Sequence, residues 1–140
     1  LPLAASAAVS VPAADDTQQI HRRVVIIDDN TDAANMMALL IESLGGNARV
    51  AYDGDQGIRE VQAHGAEVVL LDIGMQPLDG YETCRRLRDL VGSDVVIVAL
   101  TGWGQSQDKD KAEAAGFNAH LTTPADLAAL RALLASAPSD

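Results

Sequence analysis

Three aspartates stand directly after apolar runs: Asp28 and Asp29 follow Val24-Val25-Ile26-Ile27, and Asp72 follows Val68-Val69-Leu70-Leu71. Hydroxyls close two further runs, Thr101 after the stretch from Val95 to Leu100, and Thr122-Thr123 after the shorter one from Ala119 to Leu121, immediately before Pro124. A single surface aspartate is ordinarily solvated and inert. Carboxylates that each end a buried run, however, would converge if those runs lay side by side. Like charges sharing one cleft raise one another's pKa unless a cation neutralises them, so the pattern calls for a metal. Oxygen-only donors suit Mg²⁺ or Mn²⁺, whereas Zn²⁺ is disfavoured because Cys84 and the three histidines are scattered. A phosphoryl group binds readily to such a cation, and a carboxylate beside it can attack phosphorus in line to give an acyl phosphate. The Thr101 hydroxyl could then donate to a phosphoryl oxygen. No Gly-rich phosphate loop follows the first run, which disfavours a nucleotide or flavin site.

Those groups need elements that bring them together. Val24 to Ile27 is continuous and β-branched, as in a parallel strand buried on both faces. Asn30 or Thr31 can cap a helix whose apolar positions Ala33, Met36, Met37, Leu40, Ile41 and Leu44 recur at helical spacing, with both methionines expected as core filler and Gly45-Gly46 as the stop. A strand over Ala48 to Tyr52, the turn Asp53-Gly54, and a helix from Asp55 to His64 stopped by Gly65 come next, then the strand Val68 to Leu71. Gly80 to Leu90 is a helix with Tyr81, Cys84, Leu87 and Leu90 on or near one face and Arg85, Arg86 and Arg88 largely outside it. The spacing further predicts a strand over Val95 to Leu100, a helix over Gln107 to Ala115 ended by Gly116, and a short strand over Ala119 to Leu121. A last helix, opened by Pro124, carries Leu127, Leu130, Leu133 and Leu134. Five strands alternating with five helices through short loops predict a doubly wound α/β fold with a parallel sheet. Such sheets bind ligands at the carboxyl ends of their strands, where the aspartates and threonines stand.

Composition narrows the function classes. A chain of 140 residues is one domain's worth, so no second catalytic domain is expected within these residues. With 10 basic and 20 acidic side chains its net charge is −10, a balance that repels phosphate backbones and anionic lipid surfaces, so neither nucleic acid nor membrane is expected as a partner of this domain. No apolar run approaches the ~18–20 residues of a membrane span. The lone Cys84 has no internal disulfide partner, fits a reducing cytoplasm, and reads as a small buried hydrophobe on a helix. Residues 1–21 open on Leu1, lack the positive n-region of a signal peptide, and are rich in Ala, Ser, Val and Pro. They are expected to be a linker from a preceding domain, followed by one domain over 22–136 and a tail over 137–140.

Several segments together carry a resemblance: Val24-Val25-Ile26-Ile27-Asp28-Asp29-Asn30, Leu70-Leu71-Asp72-Ile73-Gly74-Met75, Leu78-Asp79-Gly80-Tyr81-Glu82, Ala99-Leu100-Thr101-Gly102-Trp103-Gly104, and the stretch from Ala115 to Pro124. In order and spacing, from about Arg23 to Ala135, the chain resembles the receiver domain of bacterial two-component response regulators. The resemblance implies the flavodoxin-like receiver fold, with strand order 2-1-3-4-5. It also implies Asp72 as phosphoacceptor, Mg²⁺ held directly by Asp29, Asp72 and the backbone carbonyl of Gly74 and through water by Asp28, Thr101 as the switch hydroxyl, and His120 at the switch aromatic position. The wording around Thr101 is most similar to receivers fused to hybrid histidine kinases, and Leu1-Pro2-Leu3-Ala4 is similar to the last strand of a kinase ATP-binding domain. The implied partner is a histidine kinase or histidine phosphotransfer domain, within the same polypeptide or outside it.

Two positions depart from the family pattern. Receivers generally carry Lys before the proline that ends strand five, where this chain has Thr123, and Pro four residues after the phosphoacceptor, where it has Gln76 followed by Pro77. The second change reshapes a loop. The first removes a cation from the site, which Lys109 or Lys111 on the helix after strand four would have to approach to replace. The expected function is therefore a phosphoacceptor signalling module, atypical at Thr123, with no turnover of external substrates. The alternatives are a degenerate receiver acting as a protein-interaction domain and a small metal-dependent phosphatase.

Overall fold

A computed structural model describes residues 22–74, 80–102, 109–123 and 127–136. The expected linker over 1–21 and tail over 137–140 lie outside these residues, as do Gln76, Pro77, Trp103 and Pro124. The chain alternates β1 (Arg23–Ile27), α1 (Thr31–Ser43), β2 (Asn47–Ala51), α2 (Gly54–His64), β3 (Val68–Asp72), α3 (Gly80–Val91), β4 (Val96–Gly102), α4 (Lys109–Ala115), β5 (Ala119–Thr123) and α5 (Leu127–Ser136). All strand pairs are parallel, in the order β2-β1-β3-β4-β5. This is the doubly wound order, in which the chain starts in the middle of the sheet and reverses direction between β2 and β3.

Continuous apolar strands are explained by burial on both faces. Val25, Ile27, Val69, Leu71, Ile97 and Ala99 pack under α2, α3 and α4, while Val24, Ile26, Val68, Leu70, Val98 and Leu100 pack under α1 and α5. A fully buried aliphatic side chain contributes about 1.5–3 kcal/mol, so the two layers supply the rigidity on which the strand ends depend. Local signals set the helix limits: Asn30 accepts a bond from the Ala33 amide at 3.0 Å and starts α1, Asp53 accepts from the Gln56 amide at 2.7 Å and starts α2, and Gly65 ends α2 at φ 67°, a left-handed conformation that glycine adopts without strain.

Some sequence expectations shift. On α1 the buried stripe is Ala34, Met37, Ile41 and Leu44; Met36 and Leu39 are exposed, as is Ala33. Neighbouring residues lie about 100° apart around a helix, so with Met37 against the sheet Met36 cannot be. Leu90 likewise points to solvent, beyond the Tyr81-Cys84-Leu87 stripe of α3. Arg88, expected mostly outside that stripe, is instead half-buried. Its guanidinium donates to the carbonyls of Gly116 (2.9 Å), Gly92 (2.9 Å) and Val95 (2.6 Å) and to the side chain of Asn118, whose oxygen also accepts the Ile97 amide at 2.8 Å. One cation thus ties the end of α3 to the start of β4 and to the loop before β5. β5 also runs on to Thr123, two residues beyond the expected end, because Thr122 and Thr123 pair with Thr101 and Gly102.

Candidate metal and phosphoryl site at the strand ends

Asp28, Asp29 and Asp72 come together because β1 and β3 are adjacent, with Ile27 opposite Leu71 in register. Oxygens of the three carboxylates lie within 4.8 Å of one another. Short backbone bonds hold each end in place. The Asp28 amide donates to the Ala51 carbonyl at 3.0 Å, its Oδ1 accepts the Asn30 amide at 2.9 Å, and Asn30 in turn caps α1. Asp72 Oδ1 accepts the Gly74 amide at 2.9 Å across the turn that follows β3, and the Ile73 amide reaches the Leu100 carbonyl at 3.4 Å.

Asp28 is buried, and that burial pushes its carboxyl up to about 6, helped by the charges and hydrogen bonding of Asp72 and the charge of Asp29 and opposed by the Asn30 amide. A group whose folded pKa is raised contributes stability that is fully present below its unfolded value of 3.8 and is lost as pH rises through about 6. The metal-free protein is therefore expected to lose stability between pH 4 and pH 7, by an amount on the order of 2 kcal/mol from this group. Urea unfolding at both pH values measures it, and a flat profile there would remove the crowding argument. A divalent cation fits this donor set: the ligands are oxygens only, and their mutual repulsion is what a cation would relieve.

Other residues singled out from the sequence lie on the turn after β3 and on β4, α4 and β5. Thr101 is buried near the end of β4, one residue past Leu100, the register partner of Asp72. Gly74 is exposed in the turn after β3. His120 is exposed on the edge strand β5 opposite Ala99, on the side of the sheet that α4 covers. Thr123 closes β5 opposite Gly102; its side chain lies outside the described residues, as does that of Lys109. Lys111 stands over the ring of Tyr81, its Nζ 4.4 Å from the centroid.

Sequence reasoning gave Gly80 as a helix start and part of a resemblance segment but missed its contact with the Asp72 backbone. A Cβ there would fall on the Cα of Ile73 and 2.6 Å from the carbonyl oxygen of Asp72, so the first turn of α3 presses on the backbone that carries Asp72. The sequence clues are a glycine at a helix start and its place in the segment Leu78-Asp79-Gly80-Tyr81-Glu82. Gly80→Ala is expected to destabilise the fold by about 1–3 kcal/mol through overpacking and to displace the Asp72 and Ile73 amide resonances. An unchanged melting temperature with unmoved resonances would contradict the close approach.

Comparison with known proteins agrees with this geometry. The chain is 33% identical over 117 residues to the DNA-binding dual master transcriptional regulator RpaA of Synechocystis, covering 80% of this chain and spanning 48%, about half, of that regulator. In fold it is similar to the chemotaxis protein CheY4 of Vibrio cholerae (TM-score 0.77, 21% identity, 84% of this chain and 99% of that one). It is also similar to the receiver domain of the sensor histidine kinase PA1611 of Pseudomonas aeruginosa (TM-score 0.72, 28% identity, 81% and 94%), whose active-site cleft coordinates magnesium. The response regulator receiver domain model matches residues 24–135, and with so much of the chain inside that match the protein belongs to the receiver domains of two-component systems.

Proposed function

We propose that this receiver accepts a phosphoryl group from a phosphohistidine onto Asp72, with Mg²⁺ held by Asp28, Asp29, Asp72 and the Gly74 carbonyl. The observation that carries the reading is the meeting of three carboxylates within 4.8 Å at the ends of β1 and β3. A bound Mg²⁺ would neutralise charge on the phosphoryl oxygens. The chain's own groups do the rest. The Gly74 amide, by its bond to Oδ1, fixes the orientation of the Asp72 carboxylate. One carboxylate oxygen attacks phosphorus as the phosphorus–nitrogen bond of the donor breaks, leaving an acyl phosphate on Asp72 and the imidazole as leaving group. In this reading the hydroxyl of Thr101, buried near the end of the adjacent strand β4, donates to a phosphoryl oxygen, and His120 takes the switch aromatic position.

In this reading residues 22–136 are the receiver, residues 1–21 a linker and residues 137–140 a tail. The partner is a histidine kinase or histidine phosphotransfer domain. The similarity to a sensor kinase receiver supports a place in a hybrid histidine kinase, and the expected location is the cytoplasm. Manganese would serve in place of magnesium. A second reading, a degenerate receiver that works as an interaction domain without phosphate, is favoured by one observation, Thr123 where receivers generally carry Lys.

Mg²⁺ titration followed by addition of a phosphoryl analogue separates the two, because only the phosphoacceptor reading requires the analogue to bind at Asp72. Mg²⁺ is expected to shift the amides of Asp28 to Asn30 and Asp72 to Gly74 at millimolar concentrations, and to bind more weakly as pH falls, because below about 6 Asp28 holds a proton that the ion must displace. The apparent affinity should drop up to about tenfold per pH unit there. No response to Mg²⁺ at pH 7.5 would leave the degenerate reading standing.

A further inference from the structure

Gly80 leads directly to Tyr81, a buried ring that the acidic cluster does not use. Tyr81 and Phe117 meet in a T-shaped pair at a centroid distance of 6.1 Å and an interplanar angle of 85°, while Lys111 of α4 lies 4.4 Å over the face of Tyr81. Phe117 is itself fastened to α4, its amide donating to the Ala112 carbonyl at 3.1 Å, and the next residue, Asn118, donates its amide to the Ile97 carbonyl at 2.8 Å as the chain enters β5. On the other side of Tyr81, the Gly80 amide donates to the Ile73 carbonyl at 3.3 Å, and the contact there leaves no room for a Cβ.

Contacts therefore run without a gap from the backbone of Asp72 through Gly80 to one aromatic ring, and from that ring to Lys111 in the first turn of α4 and to Phe117 between α4 and β5. Close-packed groups move together rather than deform independently. The first turn of α3 cannot stay still if the Asp72–Ile73 backbone shifts, and Tyr81, held by an edge contact and a cation over its face, carries that shift to α4. We propose that Tyr81 is a positioning residue that couples the state of Asp72 to α4 and the start of β5, along a route that needs no cation at residue 123. The proposal rests on Asp72 being the phosphoacceptor, and it predicts a response of α4 even with Thr123 in place.

The test uses the full chain with Mg²⁺ and beryllofluoride, a phosphoryl analogue, read by amide shifts of Ala112, Ala115, Phe117 and Asn118 and by analogue affinity. In the wild type those amides should shift on saturation. Tyr81→Leu should bind the analogue within about threefold of wild type yet lose more than half of the α4–β5 response, whereas Tyr81→Phe, which keeps the ring, should retain it; such loss and rescue mark coupling rather than simple support. Lys111→Met, a change at an exposed residue, should reduce the α4 response about twofold and serves if Tyr81→Leu does not fold. A full α4–β5 response in either folded variant overturns the proposal. Absence of analogue binding in the wild type overturns instead the assignment of Asp72, and this coupling with it.

Discussion

Asp72→Asn should abolish phosphoryl labelling of this protein by a phosphohistidine donor, while leaving its fold in place. An amide oxygen cannot form an acyl phosphate, and no smaller effect than complete loss is expected if Asp72 is the nucleophile. The side chain is nearly isosteric, and its oxygen can still accept the Gly74 amide that Asp72 Oδ1 accepts at 2.9 Å. Removing that charge also removes one of the influences that raise the Asp28 carboxyl, so Asp28 should titrate lower in the variant than its value of about 6 in the parent. Two independent readouts thus change together, with label lost and Asp28 more acidic. Wild-type label should be released by hydroxylamine, as expected of an acyl phosphate. Label that persists in Asp72→Asn would place the acceptor elsewhere.

The second large effect should come from restoring a cation. In the usual receiver pattern three carboxylates, Mg²⁺ and the ammonium sum to about zero; with Thr123 the sum is about −1, and about −2 once Asp72 becomes a dianionic phosphate. Thr123 ends β5 opposite Gly102, next to the pairing of Thr122 with Thr101. Thr123→Lys therefore returns an ammonium to the last residue of β5, the strand that pairs with the one carrying Thr101. A charge-assisted hydrogen bond contributes about 1.5–3 kcal/mol, or roughly ten- to a few-hundred-fold in a rate or equilibrium. Phosphorylation at saturating Mg²⁺ should accelerate by a factor in that range, with larger shifts at β5 on analogue binding. Equal rates in the two proteins would mean that Lys at this position adds nothing to the transfer chemistry of this chain.

Much of the fold was legible because it is written in local chemistry. The β-branched runs, Asn30 as cap, and Gly65 and Gly116 as stops each act within a few residues, and the structure places the elements they announce within one or two residues of expectation, save where a neighbouring strand extends a ladder, as at Thr122 and Thr123. The faces of the helices were less legible. Ala33, Met36 and Leu40 fit the helical period as well as Ala34 does, yet which flank of α1 meets the sheet depends on how the helix lies across β1 and β2. Arg88 shows the same limit: nothing in its surroundings in sequence announces that its charge will be shared between carbonyls of the loop after its own helix and the carbonyl of distant Gly116.

For the site, the sequence by itself determined the chemistry: three carboxylates and a hydroxyl, each immediately after an apolar run, oxygen donors suited to a hard cation. Side-chain type and strand polarity are local properties, and in a parallel sheet every strand end faces the same edge. Only the tertiary structure decided how close those groups come and which of them is perturbed. The adjacency of β1 and β3 brings the carboxylates within 4.8 Å, and the covering of Asp28, not its position in the chain, pushes its carboxyl up to about 6. The same is true of the contact of Gly80 with the Asp72 backbone and of the ring of Tyr81 between Phe117 and Lys111. Desolvation and contact depend on distances through space between residues far apart in the chain, and a linear pattern of residue types does not carry those distances.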